Sequence, residues 1–181
     1  MTTFNLSNQT KSRRLRPSIL LLCTASLLPL GITFAHEADD HRNLGEVLRD
    51  SGWNRLIGIW VDADTNGAKI KSTNSWRFKD RVVEITTRDT EKESVSLMGR
   101  NPKSGEIFHM SAGSAGDSSI GKWRFEKIEA ILSLLFVTGN GQEGALQIRH
   151  KLQGNDTMFI TVDLPEPITF KMIRVKNPNL N

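Results

Sequence analysis

Short runs rich in Val, Ile, Thr, Phe and Trp alternate with polar turn clusters over most of the chain. In residues 145–152, Leu146, Ile148 and Leu152 fall on one strand face together with His150, and polar side chains fall on the other. Such alternation is typical of half-buried strands. The pattern predicts ten strands, over 56–62, 68–78, 81–88, 94–99, 106–111, 119–125, 130–138, 145–152, 157–162 and 168–176.

The connectors between these runs are short and rich in Gly, Asn, Asp and Pro. They suit antiparallel hairpins and are too short for the crossovers of a parallel sheet. The predicted fold class is therefore all-β, an antiparallel up-and-down β-barrel of about eight to ten strands. A two-sheet sandwich is the alternative, because the same pattern suits both.

A short N-terminal helix is predicted over residues 43–50, where Leu44, Val47 and Leu48 share one face. The stretch 130–138 is apolar on both strand faces, so its outer face needs a cover. The helix is the available candidate.

The first residues have the order of a secretory signal peptide. Basic residues from Lys11 to Arg16 precede an apolar run from Ile19 to Leu30, and a small-residue ending closes at Ala35. The run is interrupted too early for a membrane span, which needs about 20 apolar residues. We expect a signal peptide over 1–35, a polar tail and short helix over 36–52, and a barrel domain over 53–178. The protein is then exported, periplasmic or extracellular after cleavage near Ala35.

Charge argues against a nucleic-acid partner. The chain carries 24 basic and 20 acidic residues, but four of the basic ones lie in the predicted signal, which has no acidic residue. The remainder is balanced, whereas nucleic-acid binding requires a concentrated positive surface. The single cysteine, Cys23, leaves with the signal. We expect no disulfide, no thiol chemistry and no membrane span in the mature chain. The sequence does not indicate an oligomeric state.

Gly58-Ile59-Trp60 begins the first strand just after the predicted helix, and Arg174 lies on the last strand. This arrangement resembles the Gly-x-Trp signature of lipocalins and the arginine that packs across that tryptophan. The resemblance covers about residues 53–176. Over this stretch the chain is similar to lipocalin-like (calycin-type) domains of secreted bacterial proteins. It implies a cup-shaped barrel that holds a small apolar ligand, with the Trp–Arg pair serving the scaffold.

The predicted ligand-binding residues lie on the apolar strand faces, because ligand pockets are mostly apolar with a few polar groups that orient the ligand. They are Trp76, Val83, Ile85, His150, Met158 and Ile160. A binding or accessory module is favoured over an enzyme, and no catalytic residue is assigned. The alternatives are a small hydrolase or isomerase using His150, and a structural or interaction domain with a filled barrel.

Residues 62–67 resemble part of a calcium-binding loop. Asp62, Asp64 and Asn66 occupy alternate positions before Gly67, as in the first half of an EF-hand loop. The twelfth position is Thr73 rather than a bidentate Glu, and Asp, Asn and Gly also favour plain hairpin turns. No cofactor is assigned; calcium is kept as the alternative, and the calcium-stabilised structural domain depends on it.

Overall fold

The computed structural model describes residues 41–176. A short helix and a 3₁₀ turn precede ten strands. Their bounds are α1 Leu44–Asp50, the turn Asn54–Leu56, β1 Gly58–Asp62, β2 Lys71–Phe78, β3 Val82–Arg88, β4 Glu93–Arg100, β5 Ile107–Gly113, β6 Ser118–Phe125, β7 Glu129–Val137, β8 Glu143–Gln153, β9 Thr157–Val162 and β10 Ile168–Arg174. The predicted signal peptide and the first part of the polar tail lie outside the described residues.

The ten strands form one closed barrel. Each strand pairs antiparallel with its neighbours in sequence, and β1 closes the barrel by pairing with β10. In that closing pair, Trp60 lies opposite Arg174. The predicted all-β up-and-down barrel is confirmed, and the alternative of two separate packed sheets is not what the chain adopts. No helix within residues 41–176 has the length and apolar composition that crossing a membrane requires.

Two reciprocal hydrogen bonds cap helix α1 at its N-terminal end. Asn43 Oδ1 accepts a hydrogen bond from the Glu46 backbone N–H at 3.0 Å, and Glu46 Oε2 accepts one from the Asn43 N–H at 2.6 Å. This capping box satisfies two backbone donors that an open helix end leaves unpaired. The helix ends before Gly52, whose φ of 78° suits glycine.

The helix closes one end of the barrel. The Gly45 N–H donates to the Asp80 carbonyl in the β2–β3 turn at 3.1 Å, and Trp53 Nε1 donates to the Glu126 carbonyl beyond β6 at 2.7 Å. The expectation that the helix covers the outer face of β7 is wrong, because Leu135 on that face is 60% exposed. The apolar face of α1 is buried against the barrel end instead.

Helix α1 acts as the plug of the closed end, and we call it the helix plug. Aromatic rings link it to the barrel interior. The Trp53 and Phe125 ring centres lie 5.7 Å apart, and Phe125 stacks on Trp123 at 5.5 Å. Around them is a solid core in which the side chains are almost fully buried. Its members include Leu44, Leu48, Trp60, Val83, Met98, Ile107, Met158 and Met172. The closed end is therefore filled by side chains, as in protein interiors generally.

Candidate functional site

The barrel encloses a cavity of about 330 Å³. Leu56 and Trp123 border it toward the helix, and Asp89 in the β3–β4 connection borders it at the opposite end. Asp89 is solvent-exposed, so the cavity reaches the surface at the end that the helix leaves open. Its volume falls at the small end of ligand pockets, which measure roughly 300–1,000 Å³.

The cavity has two chemically different walls. The wall formed by β2–β6 carries hydroxyl groups, from Ser72, Thr87, Ser94, Ser96, Ser111 and Ser119. The wall formed by β7–β10 is apolar apart from His150, from Leu132, Leu134, Ile148, Ile160, Val162, Phe170 and Met172. The division arises because alternate residues of each strand point inward, and these positions change from Ser and Thr to aliphatic residues after β6. The space thus suits an amphipathic molecule.

Several wall hydroxyls bond to one another. Ser111 Oγ and Ser119 Oγ lie 2.6 Å apart, and Ser72 Oγ donates to Asn74 Oδ1 at 3.0 Å. Asn74 Nδ2 in turn donates to the Leu56 carbonyl at 2.8 Å. These bonds hold the polar wall in place, and each hydroxyl oxygen retains a lone pair for a further donor.

Three polar rings meet at the inner end of the cavity, and we call them the His–Trp–His cluster. They are His109 on β5, Trp123 on β6 and His150 on β8. The His150 ring centre lies 5.0 Å from that of Trp123, and the His109 ring approaches Trp123 edge-on at 6.1 Å. All three rings line the cavity and are at most 9% exposed. The cluster rests on Phe125 and hence on the helix plug.

Each ring of the cluster has a buried nitrogen for which residues 41–176 supply no hydrogen-bond partner. The atoms are His109 Nδ1, Trp123 Nε1 and His150 Nδ1. Leaving a buried polar atom unpaired costs about 1–3 kcal/mol, so most native structures avoid it. Within the part of the chain that the structure describes, three such atoms on adjacent rings give this end of the cavity wall polar groups that the protein itself leaves unsatisfied.

Burial keeps both histidines of the cluster neutral at neutral pH. It lowers the pKa of His109 to about 4, because the charged ring would lose its hydration. It also lowers the pKa of His150 to about 4, against the backbone carbonyls of Ala130 and Ile148, which favour the protonated ring. A neutral imidazole has one donor and one acceptor nitrogen.

The six residues predicted to bind a ligand occupy two depths in the barrel. Ile85, His150 and Ile160 line the cavity. Val83 and Met158 belong to the solid core at the closed end. Trp76 packs against that core and has the Lys79 ammonium 5.8 Å from its ring centre.

Sequence reasoning missed His109 and Trp123 as site residues. In β5 the outward residues Phe108 and Met110 are more apolar than the inward His109 and Ser111, so alternation gives no reason to turn His109 inward. Trp123 has a stronger signal, because Gly121, Trp123 and Phe125 occupy alternate positions of one strand. Only the pairing across the closed barrel brings these rings beside His150.

The cavity carries little charge. Among the described residues that line it, Asp89 is the single one with a charged side chain at neutral pH. The enzyme alternative requires His150 to bond a carboxylate or a serine, but within residues 41–176 His150 Nδ1 has no hydrogen-bond partner.

Asp62 holds the predicted calcium loop as a turn. Its carboxylate accepts hydrogen bonds from the Ile70 N–H at 2.7 Å, the Thr65 N–H at 2.9 Å and the Thr65 hydroxyl. These bonds, that from the Thr65 hydroxyl first, lower the pKa of Asp62 to about 2. Asp64 and Asn66 are exposed. The part of the chain that the structure describes has no group of three or more His, Cys, Asp or Glu arranged to hold a metal.

An apolar row crosses the outer surface of the barrel. Leu97, Met110, Ile120 and Leu135 are direct cross-strand neighbours on β4, β5, β6 and β7. All four side chains are exposed. The row lies on the opposite face of the sheet from the cavity, so its residues serve as controls for cavity variants.

The Gly-x-Trp segment and the last strand meet in space. The Arg174 guanidinium lies over the Trp60 ring, 4.5 Å from its centre, and Trp60 is fully buried. Gly58 makes this approach possible, because a Cβ there would lie 2.4 Å from Arg174 Nη1. The closed barrel and this pair are compatible with the lipocalin-like fold that the sequence suggests. Scans of the chain against models of protein families and against curated proteins found no match.

Proposed function

We propose that this protein is an exported binding module that holds a small, largely apolar ligand inside a lipocalin-like barrel. The observation that carries the proposal is the cavity of about 330 Å³, which is aliphatic on one wall and hydroxyl-lined on the other. A purely structural domain has no need of such a space, since interiors close-pack where nothing else is required. Export rests on the sequence of residues 1–35 and the family assignment on Gly58, Trp60 and Arg174.

The charge of the cavity supports binding over catalysis. Binding sites fix an apolar ligand with a few polar groups, and the His–Trp–His cluster supplies these at one end. Catalysis by His150 needs a partner that orients the ring and tunes its pKa toward neutrality. Burial lowers that pKa instead.

The direct test is native mass spectrometry of the protein purified from its own host, which reveals a retained ligand by mass. Titration with fatty acids, isoprenoid alcohols and haem, followed by tryptophan fluorescence, is the complementary test because Trp123 lines the cavity. A ligand must change the emission of the natural protein. The double variant Leu134→Phe/Ile148→Phe fills the apolar wall and must weaken the response.

The matched control is Ile120→Ser, on the outer apolar row, which leaves the cavity untouched. It must bind like the natural protein. No retained ligand, together with no response to any of the titrated compounds, would leave the filled structural domain as the better account.

A further inference from the structure

We propose that the His–Trp–His cluster recognises an uncharged oxygen head group, a hydroxyl or a carbonyl, on a ligand whose apolar body lies along β7–β10. This inference rests on the proposed binding function and specifies its ligand class. The three rings that carry the unpartnered nitrogens line the inner end of the cavity, whereas the aliphatic wall runs from there toward the rim. A ligand with one polar end fits this order with that end inward.

The nitrogens define what the head group must supply. Trp123 Nε1 is a donor only, so it needs an acceptor. His109 and His150 are neutral, and each ring has one donor and one acceptor nitrogen. A single oxygen with lone pairs serves Trp123 and one imidazole, and a hydroxyl also donates to the other.

Charge excludes the common alternative of a carboxylate head. Among the described residues lining the cavity there is no lysine or arginine, and the one charged side chain, Asp89, is itself an anion. Burial lowers the pKa of His109 and His150, so neither ring offers a positive charge at neutral pH. An anion taken into this space loses its hydration with no counter-charge. A cation finds no carboxylate at the inner end among residues 41–176.

The hydroxyl groups of the β2–β6 wall also favour uncharged groups on the ligand. Ser96, Ser111 and Ser119 face each other across β4, β5 and β6 in one row. Hydroxyl groups bond neutral oxygens and nitrogens equally well as donors or acceptors. They carry no charge to attract an ion, so a second uncharged oxygen on the ligand is accommodated along this wall.

Three compounds with one ring system test the proposal: naphthol, naphthoate and naphthalene, each titrated by isothermal calorimetry at neutral pH. Naphthol must bind about tenfold more tightly than naphthalene, the effect of a net hydrogen bond or two. Naphthoate must bind more weakly than naphthol. Naphthoate binding as tightly as naphthol, or naphthol and naphthalene binding equally, overturns the proposal while leaving the binding function intact.

Variants assign the effect to the cluster. His109→Phe, His150→Phe and Trp123→Phe keep an aromatic ring and remove the nitrogens, so each must reduce the preference for naphthol while naphthalene still binds. Ile120→Ser must keep the full preference. A preference that survives in all three cluster variants places the head group elsewhere and overturns the assignment.

Nitrogen NMR of the natural protein gives a readout that does not depend on the variants folding. Naphthol must shift the imidazole ¹⁵N resonances of His109 and His150, and naphthalene must shift them much less. Equal shifts with both compounds contradict recognition of the oxygen. If the natural protein takes up none of the three compounds and retains no ligand from its host, the proposed function fails together with this inference.

Discussion

The guanidinium of Arg174 lies 4.5 Å from the centre of the Trp60 ring, and its Nη1 donates to the Ile57 carbonyl at 2.7 Å. One side chain thereby joins the last strand to the first strand and to the segment that leads into it. Because β1 and β10 close the barrel, this contact seals the seam between the two ends of the sheet.

Replacing Arg174 by methionine is expected to destabilise the barrel by about 2–4 kcal/mol. The change removes a cation–π contact of about 0.5–2 kcal/mol and a charged hydrogen bond of about 1.5–3 kcal/mol but keeps an apolar stem. Urea unfolding measures the loss. Arg149→Met is the control, since Arg149 is half-exposed and its pair with Asp163 is worth at most about 1 kcal/mol. Equal losses in the two variants would contradict the seam role of Arg174.

Gly58→Ala is expected to be the most costly glycine substitution tested at this seam. The residue has a φ of 140°, and an added Cβ would lie 2.4 Å from Arg174 Nη1. Backbone strain of about 1–3 kcal/mol then adds to displacement of the arginine. Gly154→Ala, with a φ of 67° and no atom within 4 Å of the new methyl group, isolates the backbone part. Thermal unfolding must show the larger loss for Gly58→Ala.

The two cluster histidines are expected to make stability fall as pH drops from about 6.5 to about 4. Their pKa in the fold is about 4, below the usual 6.5, so the unfolded chain binds more protons in this window. Each histidine adds at most about 1.4 kcal/mol per pH unit there, and above pH 6.5 its contribution is complete.

Unfolding curves across this pH range check the slope, and His150→Gln must flatten it. The carboxylate of Asp62 acts in a lower window, because its pKa is lowered to about 2 from 3.8 and its contribution is lost only as pH falls between those values. A variant without His150 that keeps the full slope would show that the ring is not neutral and buried in solution.

Asp62→Ala is expected to destabilise the β1–β2 connection more than Asp64→Ala does. The Ile70 and Thr65 N–H groups lose their acceptor in the first variant, whereas Asp64 is exposed. The same pair tests the calcium hypothesis. A rise in the melting temperature of the natural protein with calcium, absent in Asp62→Ala, would support it. The same melting temperature with calcium and with a chelator would leave the loop as a hairpin turn alone.

The mature protein is expected to begin at His36. The small residues Thr33 and Ala35 fit the cleavage site of a signal peptide after an apolar run. N-terminal sequencing of exported material checks this. Material that starts before residue 30 would contradict it.

Much of the barrel follows from the sequence alone. Alternation in segments such as 145–152 marks each strand. The turns that follow are too short for a parallel crossover, so neighbouring strands pair antiparallel. All ten predicted strands and the helix are present. The Trp60–Arg174 contact was expected from the Gly-x-Trp resemblance, whose residues lie at the two ends of the barrel domain.

Only the tertiary structure decided at which depth along the barrel axis each inward side chain lies. Alternation shows which face of a strand a residue occupies. It does not show whether the barrel interior at that residue's depth is packed with side chains or forms a cavity. Val83 and Ile85 are two positions apart on one face of β3, yet Val83 packs in the solid end and Ile85 lines the cavity. The difference arises because α1 and Trp53 plug only one end, which no local pattern indicates.

Closure of the barrel also decided which inward side chains lie next to one another. In β5 the more apolar face is the one that carries Met110, so the place of the strand in the ring, and not its pattern, turns His109 inward and leaves Met110 exposed. The His–Trp–His cluster joins three strands that are not all neighbours, β5, β6 and β8, across the barrel interior. The sequence determined the strands and their order, whereas the site exists only once curvature brings distant inward faces together.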